Sequence, residues 1–154
     1  MRDRILHWLA SLRTGSGLAR IMLAAIFLYA GYTKVRNPLA FAIAVDTYQL
    51  LPAWAVLVVA YALPWLELML GVWLLAGIAL RYGATVTTAL LTAFFTTMVI
   101  TRLRGIESDC GCFGFGEPIS PLTLARDAVF LGLAFYLAIS AWRAPRPHTD
   151  ASTP

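Results

Sequence analysis

Charged residues and cysteines are both scarce in this chain of 154 residues. Charged residues make up 13% of the sequence, whereas a typical soluble domain carries roughly 25%. Hydrophobic residues make up 60% and the mean hydropathy is +0.74. So few polar side chains cannot cover the surface of a soluble domain. The composition therefore excludes a soluble protein and predicts an integral membrane protein whose surroundings are the lipid bilayer.

The basic residues do not indicate a nucleic-acid partner. The net charge is +4, but the 12 lysines and arginines are spread along segment ends and form no basic stripe interleaved with aromatic residues. Basic residues at the ends of apolar segments are typical of signals that orient membrane helices.

Four apolar segments approach the length of about 20 residues that a membrane-spanning helix needs. They cover about Leu18–Tyr32, Ala55–Leu80, Tyr82–Thr101 and Leu122–Trp142. We predict an all-α fold, an integral membrane four-helix transmembrane bundle over residues 18–142. Residues 1–17 are predicted to form a cytoplasmic N-terminal segment, and residues 143–154 a disordered cytoplasmic tail.

The first segment has the basic leader of a signal peptide, but we predict that it is retained. Tyr32-Thr33-Lys34-Val35 lacks the small residues of a signal-peptidase site. With four spans, both termini and the loop at Arg81 share one side of the membrane. That side carries seven basic residues and the other side five. The excess favours cytoplasmic termini in a bacterial inner membrane, with the loop before the fourth segment facing outward.

The stretch between the first two spans is predicted to form a short helix along the outer membrane surface. Pro38 suits a first helical turn, and Phe41, Val45 and Tyr48 form an apolar stripe at helical spacing. This helix would cover the loop before the fourth span, which lies on the same side.

That loop holds both cysteines of the chain, Cys110 and Cys112, in the sequence Cys-Gly-Cys. A disulfide between residues i and i+2 closes a small, strained ring, which makes it labile and oxidising. Gly111 tolerates the backbone angles that such a ring demands. We therefore predict that Cys110 and Cys112 exchange disulfides with another protein, on the side of the membrane where disulfides persist.

Two other interpretations of the cysteines stay open. Two thiolates can bind copper(I) or half of a zinc site, with a further ligand from Asp109, a methionine or a partner. Alternatively, the thiols are incidental. No cofactor-binding residue is identifiable, and the sequence leaves a quinone or a metal open.

Glu67 lies near the middle of the second span, where an unpaired carboxylate costs at least a few kcal/mol. The candidate partners are Lys34, Arg126 and the hydroxyl groups of Tyr29 and Tyr32. We predict that Glu67, Lys34 and Arg126 form a buried polar group that supports the cysteine loop, with a structural ion pair as the alternative. Asp127, in the first turns of the fourth helix, is assigned a structural role because the helix dipole favours an acid there.

Several of these residues together resemble a known family. The resemblance rests on Gly31-Tyr-Thr-Lys34, Tyr48-Gln-Leu-Leu-Pro52, Pro64-Trp-Leu-Glu67, Cys110-Gly-Cys-Phe-Gly114 and Arg126-Asp127. It is to the DoxX-like superfamily and, within it, to the methylamine-utilisation protein MauE family, over about Ala19 to Tyr136. The Cys-Gly-Cys-Phe-Gly block is its most specific part.

The resemblance implies a four-helix membrane bundle that assists methylamine dehydrogenase maturation together with a periplasmic thioredoxin-like partner. Membrane thiol oxidases of comparable layout carry two cysteine pairs, whereas this chain carries one. A relay with a partner is therefore favoured over self-contained oxidation by a quinone. We predict a thiol–disulfide redox or maturation factor for exported, disulfide-containing clients. The alternative is a non-enzymatic membrane scaffold or carrier whose loop binds a metal or a small molecule.

Overall fold

The computed structural model describes residues 15–111, 113 and 116–144. Within these ranges the chain forms helices joined by short connections, with no strand beyond one isolated bridge. The helices are α1 (Gly15–Arg36), α2 (Pro38–Thr47), α3 (Ala53–Ala76), α4 (Leu80–Leu103) and α5 (Pro121–Arg143). The predicted all-α fold is confirmed, with four helices long and apolar enough to cross a membrane and a short helix between the first two. Other predictions fall outside the described part of the chain, on residues 1–14, Cys112 and residues 145–154.

The end of α3 differs from the sequence prediction. The second span was expected to continue to Leu80, but the helix ends at Ala76. Gly77 follows with a φ of 67°, the left-handed conformation in which glycine commonly ends a helix. The next helix begins at Leu80, so the connection is tight and α3 and α4 run in opposite directions.

Helices α1 and α3 approach each other closely at two glycines. A Cβ atom on Gly31 of α1 would lie 2.8 Å from the carbonyl oxygen of Pro64, and one on Gly71 of α3 would lie 2.6 Å from Cγ of Leu28. Small residues allow such close approach between membrane helices. Leu23, Ala24 and Leu74 are fully buried beside this contact and form part of the core.

Helix α5 begins with a reciprocal capping arrangement. The hydroxyl of Ser120 accepts a hydrogen bond from the backbone N–H of Thr123, and the hydroxyl of Thr123 accepts one from the N–H of Ser120. The cap fixes where the loop ends and the helix starts. The up-and-down order of the helices places the end of α1, helix α2 and the loop between α4 and α5 at one end of the bundle.

Candidate functional site

The loop between α4 and α5 is held in a narrow hairpin around Cys110. The backbone N–H of Cys110 donates to the carbonyl of Glu117 at 2.7 Å, and that of Ile119 donates to the carbonyl of Ser108 at 3.0 Å. These bonds flank the antiparallel bridge between Asp109 and Pro118. Backbone pairing therefore joins residues 108–110 to residues 117–119, the two sides of the hairpin that flank Gly111 and Cys112.

Helix α2 packs against this loop. The hydroxyl of Tyr48, just after α2, donates to the carbonyl oxygen of Cys110 at 2.9 Å. Gly111 adopts a φ of 68°, and a Cβ there would lie 3.6 Å from Cβ of Ala44. The backbone of Gly111 thus takes a conformation that glycine permits and lies directly under α2.

The side chain of Cys110 is buried between two opposite charges. The residue is only 2% exposed and packs against Met98 and Ile119. Its Sγ lies 3.6 Å from Nη2 of Arg126 and 3.7 Å from Oδ2 of Asp127. The guanidinium group can donate to the sulfur and the carboxylate can accept from its S–H, so the surroundings suit both the thiolate and the thiol.

Arg126 is fixed by three further contacts. Its Nη1 donates to Oε1 of Glu117 at 2.7 Å, and its Nε donates to Oδ1 of Asp127 at 3.1 Å. Its guanidinium carbon lies 4.7 Å from the centroid of the Phe113 ring. Hydrogen bonds to two carboxylates and a contact with an aromatic ring together restrict the guanidinium group to one position. Arg126 was predicted to lie with Glu67, but the carboxylate partners of Arg126 in the described structure are Glu117 and Asp127.

Lys34 and Glu67 form a separate ion pair in the interior. Nζ of Lys34 lies 2.7 Å from Oε1 and 2.8 Å from Oε2 of Glu67. The two residues are 2% and 3% exposed. The ammonium group also lies 5.2 Å from the ring centroid of Phe41 and 5.7 Å from that of Phe94. The structure therefore brings together two of the three predicted supporting residues, while their role stays a prediction.

A small cavity of about 40 Å³ is lined by both residues of the ion pair and by Asp127 of the cysteine site. Its walls also include the rings of Phe94, Phe113 and Phe130. The two groups of charges thus share one cavity.

A second cavity of about 310 Å³ is lined in part by Cys110. Its lining is almost wholly apolar and includes Phe41, Tyr48, Leu63, Phe94, Cys110 and Gly111. A space of this size and chemistry suits an apolar small molecule or a lipid chain. Among the residues that the structure describes, no group of three or more histidine, cysteine or acidic side chains is placed to hold a metal ion.

Sequence reasoning missed Asp127 and Glu117 as members of the cysteine site. Asp127 could have been found from its position beside Arg126 at the start of the fourth span. The favourable interaction of an acid with the helix dipole was taken as the whole reason for that position. Glu117 carried no signal, because its contact with Arg126 depends on how the loop folds back toward α5.

Comparisons with known proteins agree on one family. The family model described as "Methylamine utilisation protein MauE" matches residues 6–140. The chain is 36% identical over 122 residues to the methylamine utilization protein MauE of Paracoccus denitrificans, covering 77% of this chain and 66% of that protein. It is 32% identical over 129 residues to MauE of Methylorubrum extorquens, covering 82% and 68% of the two chains.

A third relative, MauE of Paracoccus versutus, is 31% identical over 137 residues, covering 87% of this chain and 69% of that protein. The chain thus spans about two thirds of the length of the curated relatives that it matches. No solved structure matches significantly. On the family model and these relatives, the chain belongs to the methylamine utilisation protein MauE family.

Proposed function

We propose that this protein is a membrane thiol–disulfide redox factor that assists disulfide formation or maturation of exported proteins through Cys110 and Cys112. The observation that carries the proposal is the position of the Cys110 sulfur, buried between the guanidinium of Arg126 and the carboxylate of Asp127. A cation beside a sulfur stabilises the thiolate, which is the reactive form in disulfide exchange.

The proposed exchange has two steps. A thiolate of the client attacks Sγ of Cys112 in the Cys110–Cys112 disulfide, so a mixed disulfide forms and Cys110 leaves as a thiolate. A second client thiolate then attacks the client sulfur of the mixed disulfide and releases Cys112. The client gains a disulfide, and its two electrons reside on the Cys110–Cys112 pair. A protein disulfide on a thioredoxin-like partner takes these electrons and restores the pair.

The burial of Cys110 supports different parts for the two cysteines in this proposal. Cys110 is 2% exposed, and its backbone is bonded on both sides by Glu117 and Tyr48. A client disulfide cannot approach a sulfur buried in this way without displacing the loop. We therefore assign the contact with the client to Cys112, and to Cys110 the roles of leaving group and resolving thiol.

The proposed location is the bacterial inner membrane, with both termini in the cytoplasm and the cysteine loop outside. The up-and-down helix order supports this, because Arg81 and Arg143 lie at the end of the bundle opposite Cys110. The printed names of the relatives connect them with methylamine utilisation. A client in that process is our proposal for this chain, as is its place in the wider DoxX-like superfamily.

Topology can be tested with a single reporter cysteine. Glu107 is exposed in the loop, and Glu107→Cys in a background with Cys110→Ser and Cys112→Ser carries one thiol. We expect a membrane-impermeant maleimide to label it fully in intact cells. Arg81→Cys in the same background, at the opposite end, should be labelled only after the cells are lysed. The reverse pattern would invert the orientation.

The function can be tested by trapping the mixed disulfide in cells. We expect Cys110→Ser to accumulate a covalent complex in which Cys112 has attacked a disulfide of the client or of the thioredoxin-like partner, because the thiol that would release it is missing. The complex should disappear on reduction with dithiothreitol and be identified by mass spectrometry. Cys112→Ser should trap little or nothing, and the double variant serves as the control.

The opposite pattern, a trap with Cys112→Ser alone, would reverse the parts of the two cysteines. Full client maturation in the double variant would end the redox proposal. It would favour the alternative of a carrier, which the 310 Å³ apolar cavity beside Cys110 supports on independent grounds.

A further inference from the structure

We propose that Asp127 is the proton acceptor and donor for Cys110, and that the 40 Å³ cavity that Asp127 lines links this proton to the Lys34–Glu67 pair. The inference rests on the proposed function, since it assigns a catalytic residue to the same exchange. Oδ2 of Asp127 is the carboxylate oxygen next to the sulfur, at 3.7 Å, and the residue is 8% exposed. A buried thiol that must lose its proton gives it to a group within contact distance, because bulk water cannot reach it.

The charges around the sulfur favour this transfer. Arg126 faces two carboxylates, those of Glu117 and Asp127, so the immediate group already carries a net charge of minus one. A thiolate formed by loss of the proton to solvent would add a second negative charge in a largely buried site. When the proton moves from Cys110 to Asp127, the net charge does not change. The thiolate then lies between a neutral carboxylic acid and the guanidinium group of Arg126.

The other charged groups of the cavity that Asp127 lines are Lys34 of α1 and Glu67 of α3. The cavity-lining residues of α4 are apolar: Leu91, Phe94 and Phe95. A cavity of about 40 Å³ has room for at least one water molecule, which needs two to four polar partners. Asp127, Lys34 and Glu67 supply them. Water there would connect Asp127 to the ion pair and give the proton a route through a wall of aromatic rings.

In the exchange, Asp127 acts at the step where the sulfur–sulfur bond between Cys110 and Cys112 breaks. Cys110 leaves with the bonding electron pair and takes the proton of the Asp127 carboxylic acid. In the reverse direction, Asp127 accepts that proton as Cys110 attacks the mixed disulfide at Cys112. No electron passes through Asp127.

A purified variant with Cys112→Ser isolates this step, because Cys110 is then the only thiol. The ultraviolet absorbance of its thiolate, measured against pH as the difference from the variant without cysteines, needs no reagent to reach the buried sulfur. When a thiol and a carboxylate share one proton, the fraction of thiolate is constant as long as the pair binds only that proton. We expect a flat shoulder of low thiolate absorbance below the main rise. Asp127→Asn should remove the shoulder, so that the thiolate fraction falls about tenfold for each pH unit below the midpoint.

Two further variants keep the test decisive. Asp127→Glu keeps a carboxylate and should retain the shoulder, so its loss in Asp127→Asn alone cannot be ascribed to altered packing. Asp46→Asn removes an exposed carboxylate of α2 and should leave the profile unchanged. A shoulder of equal height in Asp127→Asn would overturn the inference. A missing shoulder in the Asp127-containing parent would overturn it as well.

The two proposals fail separately. Trapping of a client by Cys110→Ser together with an unchanged profile in Asp127→Asn would leave the redox function intact and remove Asp127 from it. A shoulder that depends on Asp127, without any trapped client, would leave the proton transfer intact and remove the proposed client exchange.

Discussion

We expect Lys34→Met to lower the free energy of unfolding by about 3–5 kcal/mol, because removing one partner of a buried ion pair usually costs this much. The carboxylate of Glu67 would remain 3% exposed without the ammonium group that holds both of its oxygens. Glu67→Met should cost a similar amount, because it leaves the Lys34 ammonium among apolar residues. The measurement is reversible unfolding of the purified protein in mixed micelles with increasing denaturing detergent.

The double variant separates structure from function. Replacing both residues with methionine removes the two desolvated charges together, which is often neutral or stabilising. We expect its unfolding free energy to lie within about 1 kcal/mol of the parent, so the coupling energy of the cycle is several kcal/mol. Arg36→Met, at the exposed end of α1, is the matched control and should change stability by less than about 1 kcal/mol.

Exchange activity in the double variant then decides what the pair does. A stable double variant with full client trapping would make Lys34 and Glu67 a structural pair alone. A stable double variant with impaired trapping would support the predicted link between the ion pair and the cysteine loop. Single variants as stable as the parent would contradict the buried pair itself.

Gly71→Ala should destabilise the bundle by about 1–3 kcal/mol, the range for forcing extra volume into a packed interior. The new methyl group would lie 2.6 Å from Cγ and 2.9 Å from Cδ2 of Leu28, and 3.1 Å from the backbone oxygen of Ala24. Leu28 can move only in part, and the backbone of α1 would have to shift away. Gly31→Ala should cost at least as much, because one of its nearest atoms is the backbone oxygen of Pro64, at 2.8 Å.

Gly132 provides the control for these substitutions. It lies within α5, and a Cβ there would meet nothing within 4 Å. Gly132→Ala should be neutral or slightly stabilising, since alanine favours a helix by up to about 1 kcal/mol over glycine. The same unfolding assay compares all three variants. Equal effects at Gly71 and Gly132 would show that helix propensity, and not the contact of α1 with α3, determines the outcome.

The correct predictions, the four spans and the contact between Lys34 and Glu67, follow from hydropathy and from the cost of a charge inside the membrane. The four spans follow from apolar length, and the contact between Lys34 and Glu67 follows because a carboxylate in mid-membrane requires a partner. The end of α3 was misplaced, because apolar residues continue past Gly77 and hide the turn. Hydropathy also does not report how far a helix is rotated about its axis. For that reason the sequence predicted Arg126 beside Glu67, whereas its guanidinium group contacts Glu117 and Asp127.

The surroundings of Cys110 could not be read from the sequence for a different reason. The loop folds through the backbone bonds of Cys110 with Glu117 and of Ser108 with Ile119, and these depend on its path between α4 and α5. The tertiary contact of Tyr48 with the Cys110 carbonyl adds a constraint from 62 residues away. The motif identified the cysteines, but it gave no reason for one sulfur to be buried.

The rings of Phe41 and Phe94 stand between two unlike environments. Both line the 310 Å³ apolar cavity, and both lie within 6 Å of the Lys34 ammonium group. A hydrocarbon chain in that cavity would contact the same two rings that help to solvate the ammonium ion. The ion pair and the cavity thus share two aromatic rings, so lipid composition is a variable to be held constant when the chemistry of this protein is measured.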